Sequence, residues 1–529
     1  MTLRLNCSAL VDLPSADRIL FQSFGAGPEA APAFDRIHHA FEAHAKASPT
    51  ATAVTHLGES MTYQELDRHA DRLAASLAHR GVRPGDRVGL FMTRSIPMVV
   101  GILAILKVGA AYVPQDIRIT PAVHLRHIVD TASVKVILTS SDPAPRIPAG
   151  DRHEIIAVDE VIAVDDVIAV DEVPRSGEWS SRVPGGSGEV AVVIFTSGTT
   201  GHPNGVNVTH ANLCNILLNE PGSLGIGPGT RVAQILNIAF DMAVWEILGA
   251  LSHGATLVIR GDDIEETVRD VDVVIATPGI LGSLDASRCR NVKVVAVAGE
   301  RCPRHLADTW SSFSAFYNAC GPTEVTIVNT MQRYDPRRRV LTIGRPLPNT
   351  TVYILDQNGR PCPIGEIGEM WAGGACVTAG YLGNDVVTMQ RYRPDPFRGG
   401  GHLMFRTRDL GRWTPDGELE HHGRTDDQVK VRGFRVELDA VTSALELTAD
   451  CARATTVLRE GELIGFVSPA SVDVEAARKA VELSLPYYCV PSRVVAVDEL
   501  PMTDRGKVDK NALPDLIDPL IDPLIDVVA

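Results

Sequence analysis

Residues Phe195-Thr196-Ser197-Gly198-Thr199-Thr200-Gly201-His202-Pro203-Asn204-Gly205 crowd hydroxyls and glycines into one short stretch. Glycines let backbone N–H groups close in on an anion, and Ser and Thr hydroxyls add donors, so such a loop can wrap phosphates. The G-x-x-x-x-G-K-[ST] spacing of a Walker A loop is absent. Taken alone, the same cluster also suits a polar surface turn. It follows an apolar run, Val190 to Ile194, that predicts a buried strand.

Other reactive groups lie far from it in sequence. Glu324, after Gly321-Pro322-Thr323, suits a hard cation or the start of a helix. Asp241, before Met242-Ala243-Val244, suits a bound ammonium or a helix N-cap. Asp409 and Arg424 read alone as a turn residue and a solvated charge. Lys507, after Gly506, is a point charge on a flexible stem, open to catalysis or to an exposed turn.

The elements that position these groups alternate along the chain. Apolar runs at Arg87–Phe91, Val134–Leu138, Ala255–Ile259, Val271–Ile275 and Val292–Val297 predict strands. Asp67–Arg80 and Pro303–Ser311 predict helices packed on them, with Pro303 at the first helical position. This alternation predicts an α/β fold with covered sheets. Gln428-Val429-Lys430-Val431-Arg432 predicts a half-exposed strand that opens a small second domain. Ile156–Val173 is a hexad repeat, and the tail from Leu516 repeats Leu-Ile-Asp-Pro. Neither has the period or copy number of a solenoid, and neither is expected to carry chemistry.

Composition narrows the class. A chain of 529 residues predicts at least two domains. A net charge of −15 without a basic stripe excludes a general nucleic-acid binder. The N-terminus lacks a secretory h-region, and the apolar run Met98–Leu106 is too short to span a bilayer, so no membrane partner is expected. Nine cysteines without a C-x-x-C pair predict reduced thiols and a cytoplasmic protein.

Further motifs flank the Gly/Thr loop in a fixed order. Before it stand Met61-Thr62-Tyr63-Gln64-Glu65-Leu66 and Leu106-Lys107-Val108-Gly109-Ala110-Ala111-Tyr112-Val113-Pro114. After it come Phe240-Asp241-Met242-Ala243-Val244-Trp245, Asn318-Ala319-Cys320-Gly321-Pro322-Thr323-Glu324 and Gly380-Tyr381-Leu382. Phe405-Arg406-Thr407-Arg408-Asp409, Gly423-Arg424-Thr425-Asp426 and Asp504-Arg505-Gly506-Lys507-Val508-Asp509-Lys510 complete the series. From about Phe34 to Leu513 the chain resembles the adenylation domains of non-ribosomal peptide synthetases. These belong to the wider family of acyl-CoA synthetases, adenylation domains and firefly-type luciferases.

The resemblance implies a large N-terminal domain, 1–424, and a small mobile α+β lid, 425–514, followed by a low-complexity tail, 515–529. It implies that a substrate carboxylate attacks the α-phosphate of ATP and expels pyrophosphate, with catalysis mostly by positioning and electrostatics. The implied ATP-binding residues are Thr196, Ser197, Gly198, Thr199, Thr200, Gly201, Asn318, Cys320, Gly321, Thr323, Asp409 and Arg424. Glu324 is implied to place Mg²⁺ and, with Lys507, to serve catalysis. Lys507 would bridge the attacking carboxylate and the α-phosphate on closure of the lid. Asp426 is implied as the hinge, and Gly433 lies where a pantetheine thiol would pass.

By the same resemblance, Asp241 binds a substrate ammonium, a feature that fatty-acid and aryl-acid members usually lack. The side-chain pocket would be Met242, Trp245, Ala276, Ala296, Ala298, Ala319, Ile327 and Val328. Four alanines and no charge predict a bulky apolar amino acid, aromatic or long aliphatic, and are compatible with a β-amino acid. With no Gly-Gly-x-Ser motif in the chain, the expected partner is an acyl or peptidyl carrier protein in trans, and a small helper protein is a further candidate. Three residues depart from the family pattern. Asn204 replaces a lysine, Cys320 an aromatic ring and Arg408 a glycine. The competing readings are an acyl- or aryl-CoA ligase and a catalytically weak or silent ATP-binding scaffold.

Overall fold

The computed structural model describes residues 5, 10, 13–141, 154–159, 186–198, 202–338, 340–502, 508–510 and 512–513. Most of the hexad repeat, the tail from Leu516, and Thr199, Thr200, Gly201 and Lys507 lie outside the described residues. Packing divides the described chain into two compact units. One is built from residues up to Asp426 and the other from Asp427 onward, the second also taking in Ile119–His124 and the described residues of 197–203.

The first unit carries the alternation expected of α/β architecture. Among the described residues, a six-stranded sheet runs in spatial order Glu154–Ala157, Val136–Thr139, Arg87–Phe91, Ala111–Gln115, Val190–Thr196, Asn204–Thr209. All its neighbours are parallel except the last pair. A nine-stranded sheet runs Arg345–Pro346, Thr330–Arg333, Ala315–Cys320, Val294–Val297, Val273–Ala276, Arg231–Gln234, Thr256–Ile259, Thr52–His56, Glu59–Thr62. Its interior pairs are parallel and its margins antiparallel. The parallel strands are short continuous apolar runs because both faces are covered. A third, antiparallel sheet is formed by Thr350–Leu355, Gly368–Gly374, Leu403–Trp413, Tyr392–Pro394 and Leu419–Arg424.

Local chemistry sets the helix starts. The helix read from Asp67 begins earlier, at Tyr63, and ends at His79, because Thr62 and Glu65 form a reciprocal capping box. Pro303 is not the first helical residue as expected. It stands at the N-cap of the helix Arg304–Ser311, where its missing N–H is still harmless. The run Met98–Leu106 lies in the helix Ile96–Lys107, apolar almost all round and therefore buried in the core. Lys107 closes that helix, fully buried, with its Nζ 3.0 Å from Glu42, 2.8 Å from Asp67 and 2.6 Å from Asp71. Among the described residues, no helix is long and apolar enough to cross a membrane, and no disulfide is formed.

The second unit is α+β. The hairpin Gln428–Val431/Phe434–Glu437 precedes a three-stranded sheet, Arg453–Arg459, Glu462–Ser468 and Arg493–Ala496. Helices Leu438–Glu446 and Val474–Ser484 share a buried core with it.

Candidate functional site

The Gly/Thr loop is the turn between two paired strands. Val190–Thr196 pairs antiparallel with Asn204–Thr209, and Thr196 lies opposite Asn204. The Thr196 hydroxyl donates to the Asn204 carbonyl at 3.5 Å. Thr196 and Asn204 thus stand as paired strand ends on either side of the loop. Asn204, in place of a lysine, is tied instead to Asn384, whose Nδ2 donates to its Oδ1 at 3.2 Å.

The alanines expected to line a pocket gather at the carboxyl ends of adjacent parallel strands. Ala276 ends its strand opposite Val297, which in turn lies opposite Asn318. The Ala298 N–H donates to the Ala276 carbonyl at 3.2 Å, and Ala296 sits one step back, opposite Ile275. Ala276, Ala296, Ala298 and Ala319 are all buried. Ligands of open α/β sheets bind beyond these strand ends.

Gly321 begins the turn that brings Ile327 and Val328 back. A Cβ there would lie 2.6 Å from Val328 Cα, so only glycine admits this approach. Thr326 and Ile327 take φ of 60° and 67°, a left-handed conformation that β-branched residues strongly disfavour. The Thr326 hydroxyl, donating to the Cys376 carbonyl at 2.7 Å, helps hold the turn. Cys320 ends its strand half-buried, and Asn318 donates through Nδ2 to the Thr342 carbonyl at 2.7 Å.

Asp241 immediately precedes the helix Met242–Leu251, but its carboxylate makes no capping bond. Capping does not account for the residue. Met242 and Trp245 are buried, and the Trp245 indole N–H donates to the Gly222 carbonyl at 2.7 Å.

Glu324 is completely buried in a single helical turn, Thr323–Val325. The Tyr381 hydroxyl donates to its Oε1 at 2.6 Å. Thr378 holds its backbone carbonyl through N–H at 3.1 Å and Oγ1 at 3.0 Å. Tyr381 had no assigned role in the sequence reading, although Gly380-Tyr381-Leu382 was visible as a motif.

Asp409 and Arg424 face each other across neighbouring strands, with Nη1 to Oδ1 at 2.6 Å. The same guanidinium reaches Asp426 through Nε at 2.8 Å. His421 Nε2 lies 3.3 Å from Asp409 Oδ1, a contact that sequence reasoning missed. Arg408 takes φ of 65°, in the region that favours the glycine it replaces, and its Nη1 lies 3.3 Å from Asp426. Burial works to raise the Asp426 pKa, but the Arg424 and Arg408 guanidiniums overcome it and hold the carboxyl below its ordinary value. Among the described residues, no cluster of three or more His, Cys, Asp or Glu side chains could cage a metal.

The model of the AMP-binding enzyme family matches residues 41–382. Adenylate-forming reductase 06235 of Coprinopsis cinerea is 46% identical over 507 residues, covering 95% of this chain and 49% of that protein. The chain thus spans about half the length of that relative. Novobiocin biosynthesis protein H of Streptomyces niveus is 35% identical, with 90% of this chain and 82% of that protein covered. The fold is shared with holo-PA1221, an NRPS protein containing adenylation and PCP domains, at a TM-score of 0.81 and 24% identity over 94% of this chain and 86% of that one. The chain belongs to the AMP-binding enzyme family.

Proposed function

We propose that this enzyme activates a bulky apolar amino acid, α or β, as its aminoacyl-AMP and passes it to the phosphopantetheine thiol of a carrier protein. The observation that carries this reading is Asp241. A carboxylate stands at the head of a buried helix without a side-chain capping bond, while the alanines proposed for the pocket are buried. An ammonium entering a partly dry pocket requires such an anion. The alanines are small and Ile327 is apolar, and all of them are buried.

The residues fit Mg²⁺. That ion is held by one or two carboxylates with substrate phosphates rather than by a protein cage, and Glu324 offers one buried carboxylate fixed by Tyr381. When bound, Mg²⁺ would neutralise charge on the phosphates. Asp409 would accept hydrogen bonds from the ribose, and Thr196 to Gly201 would hold the leaving phosphates. Lys507 would bridge carboxylate and α-phosphate.

The test is substrate-dependent ATP–pyrophosphate exchange with bulky apolar α-amino acids, their β-amino counterparts and the matching des-amino acids. Exchange with amino acids alone supports the reading and selects α or β. Exchange with des-amino acids alone moves the enzyme to the CoA ligases, and silence across the panel favours the scaffold or helper-dependent reading.

A second fate of the activated acid is favoured by the 46% identity to an adenylate-forming reductase. In that reading hydride from a nicotinamide donor adds to the thioester carbonyl carbon, the C–S bond breaks and the carrier thiol leaves with a proton, giving the aldehyde. The check is whether thioester formed by this chain yields aldehyde when supplied with the reductase portion of that relative.

A further inference from the structure

The segment that carries Asp241 is a loop tied shut at its base. It leaves the strand Arg231–Gln234 and enters the helix Met242–Leu251. Glu246, fully buried in that helix, reaches back to the first residues of the loop. Its Oε1 accepts from the Ile235 N–H at 2.9 Å and from the Leu236 N–H at 3.2 Å. Its Oε2 accepts from the same Leu236 N–H at 3.2 Å and from Gln234 Nε2 at 3.1 Å. The Leu236 carbonyl is held as well, by Gln234 Nε2 at 2.7 Å and by Arg94 Nε at 2.9 Å.

Asn237 is a second post. Its Oδ1 accepts from the Ala239 N–H at 2.9 Å, and its carbonyl accepts from the Phe240 N–H at 3.1 Å. Its Nδ2 donates at 3.0 Å to Asp116, a buried carboxylate on another sheet's flank. The loop between the posts and the helix ends at Asp241, which is half-buried and makes no side-chain capping bond. A buried carboxylate is costly unless donors meet its oxygens, and here the donors come from residues 234–236 alone. That cost is spent on the path of the chain toward Asp241. A misplacement of about 1 Å in a positioning group can cost roughly a hundredfold in rate, so the path matters to binding.

We propose that Glu246 and Asn237 are positioning residues for the substrate ammonium. They fix the loop 235–241 and, through it, the place of the Asp241 carboxylate, without touching substrate themselves. The proposal rests on the reading of Asp241 as the ammonium partner. A residue that served the fold alone would affect acids with and without an amino group alike, whereas a positioning residue changes the preference between them.

The test is ATP–pyrophosphate exchange by the full chain with matched acids: phenylalanine and β-phenylalanine against 3-phenylpropionate, and leucine against 4-methylpentanoate. The variants are Glu246→Met, Glu246→Gln, Asn237→Ala and Asp241→Ala. Glu246→Met keeps the side-chain length and removes both acceptors, and Glu246→Gln keeps one acceptor oxygen for the loop amides. The ratio of KM values, amino acid over des-amino acid, should rise about tenfold in Glu246→Met and in Asn237→Ala, as for a lost hydrogen bond to a charged group. Glu246→Gln should recover part of the shift. Hydrogen exchange at the Ile235 and Leu236 amides should quicken in Glu246→Met, and less so in Glu246→Gln. Asn237 is half-buried, so Asn237→Ala carries the test where Glu246→Met does not fold. An unchanged KM ratio in the folded variants, beside a selective loss in Asp241→Ala, overturns the proposal and leaves the ammonium reading standing. Equal losses for both acid classes in Asp241→Ala, or silence of the unaltered chain on every acid, overturn that reading and the proposal with it.

Discussion

The Tyr381 hydroxyl and the Glu324 carboxylate form a buried 2.6 Å hydrogen bond between residues 57 apart in sequence. A carboxylate held this way presents its charge in one fixed direction. Tyr381→Phe removes the donor and keeps the ring. A hydrogen bond to a charged group is worth about 1.5–3 kcal/mol, so pyrophosphate exchange should fall by roughly ten- to a hundredfold. The Mg²⁺ concentration for half-maximal exchange should rise as well. An unchanged rate and Mg²⁺ dependence would reject the positioning role.

Asp241→Ala should penalise amino acids and spare their des-amino analogues. Loss of the partner of a desolvated ammonium costs about 3–5 kcal/mol, so kcat/KM for the amino acid should fall by at least a hundredfold. Equal losses for both substrate classes would exclude an ammonium contact.

Arg408 sets strain against an ion pair. The left-handed conformation costs a non-glycine residue about 1–2 kcal/mol, whereas a partly exposed pair contributes about 0–1 kcal/mol. Arg408→Ala keeps the strain and loses the pair to Asp426, so its melting temperature should not rise. Arg408→Gly loses the same pair and relieves the strain, and should be more stable than the alanine variant by about 1 kcal/mol. Thermal melts of the two variants decide the sign.

Asp71 makes stability depend on pH. Burial raises its pKa from the ordinary carboxylate range to about 6, against the opposing pull of Lys107. The folded state therefore binds a proton that the unfolded state has released. This group's contribution is fully present below the unfolded value and is lost as pH rises toward 6. Asp71→Asn should flatten the fall in melting temperature between those limits. An identical pH profile in the variant would show that the proton resides elsewhere.

The strands were legible because buried parallel strands are written as short apolar runs. Val294–Val297 falls within the run Val292–Val297, and Val273–Ala276 overlaps the run Val271–Ile275 and ends one residue beyond it. Helix starts were less legible. Periodicity marks a helix body, while the start at Tyr63 depends on one reciprocal pair, Thr62 and Glu65. In the site, motif residues such as Glu324 and Asp409 were legible singly. Their partners were not, since Tyr381 and His421 reach them only through tertiary folding. Lys107 shows the same limit. A lysine in an apolar sequence gives no sign of the carboxylates waiting for it, although Asp67 and Asp71 are one helical turn apart.

The Arg424 guanidinium holds both Asp409 and Asp426, the last residue before the chain enters its second unit. Separate nitrogens serve the two carboxylates, Nη1 for Asp409 and Nε with Nη2 for Asp426. A single substitution of Arg424 would therefore take this partner from both carboxylates at once.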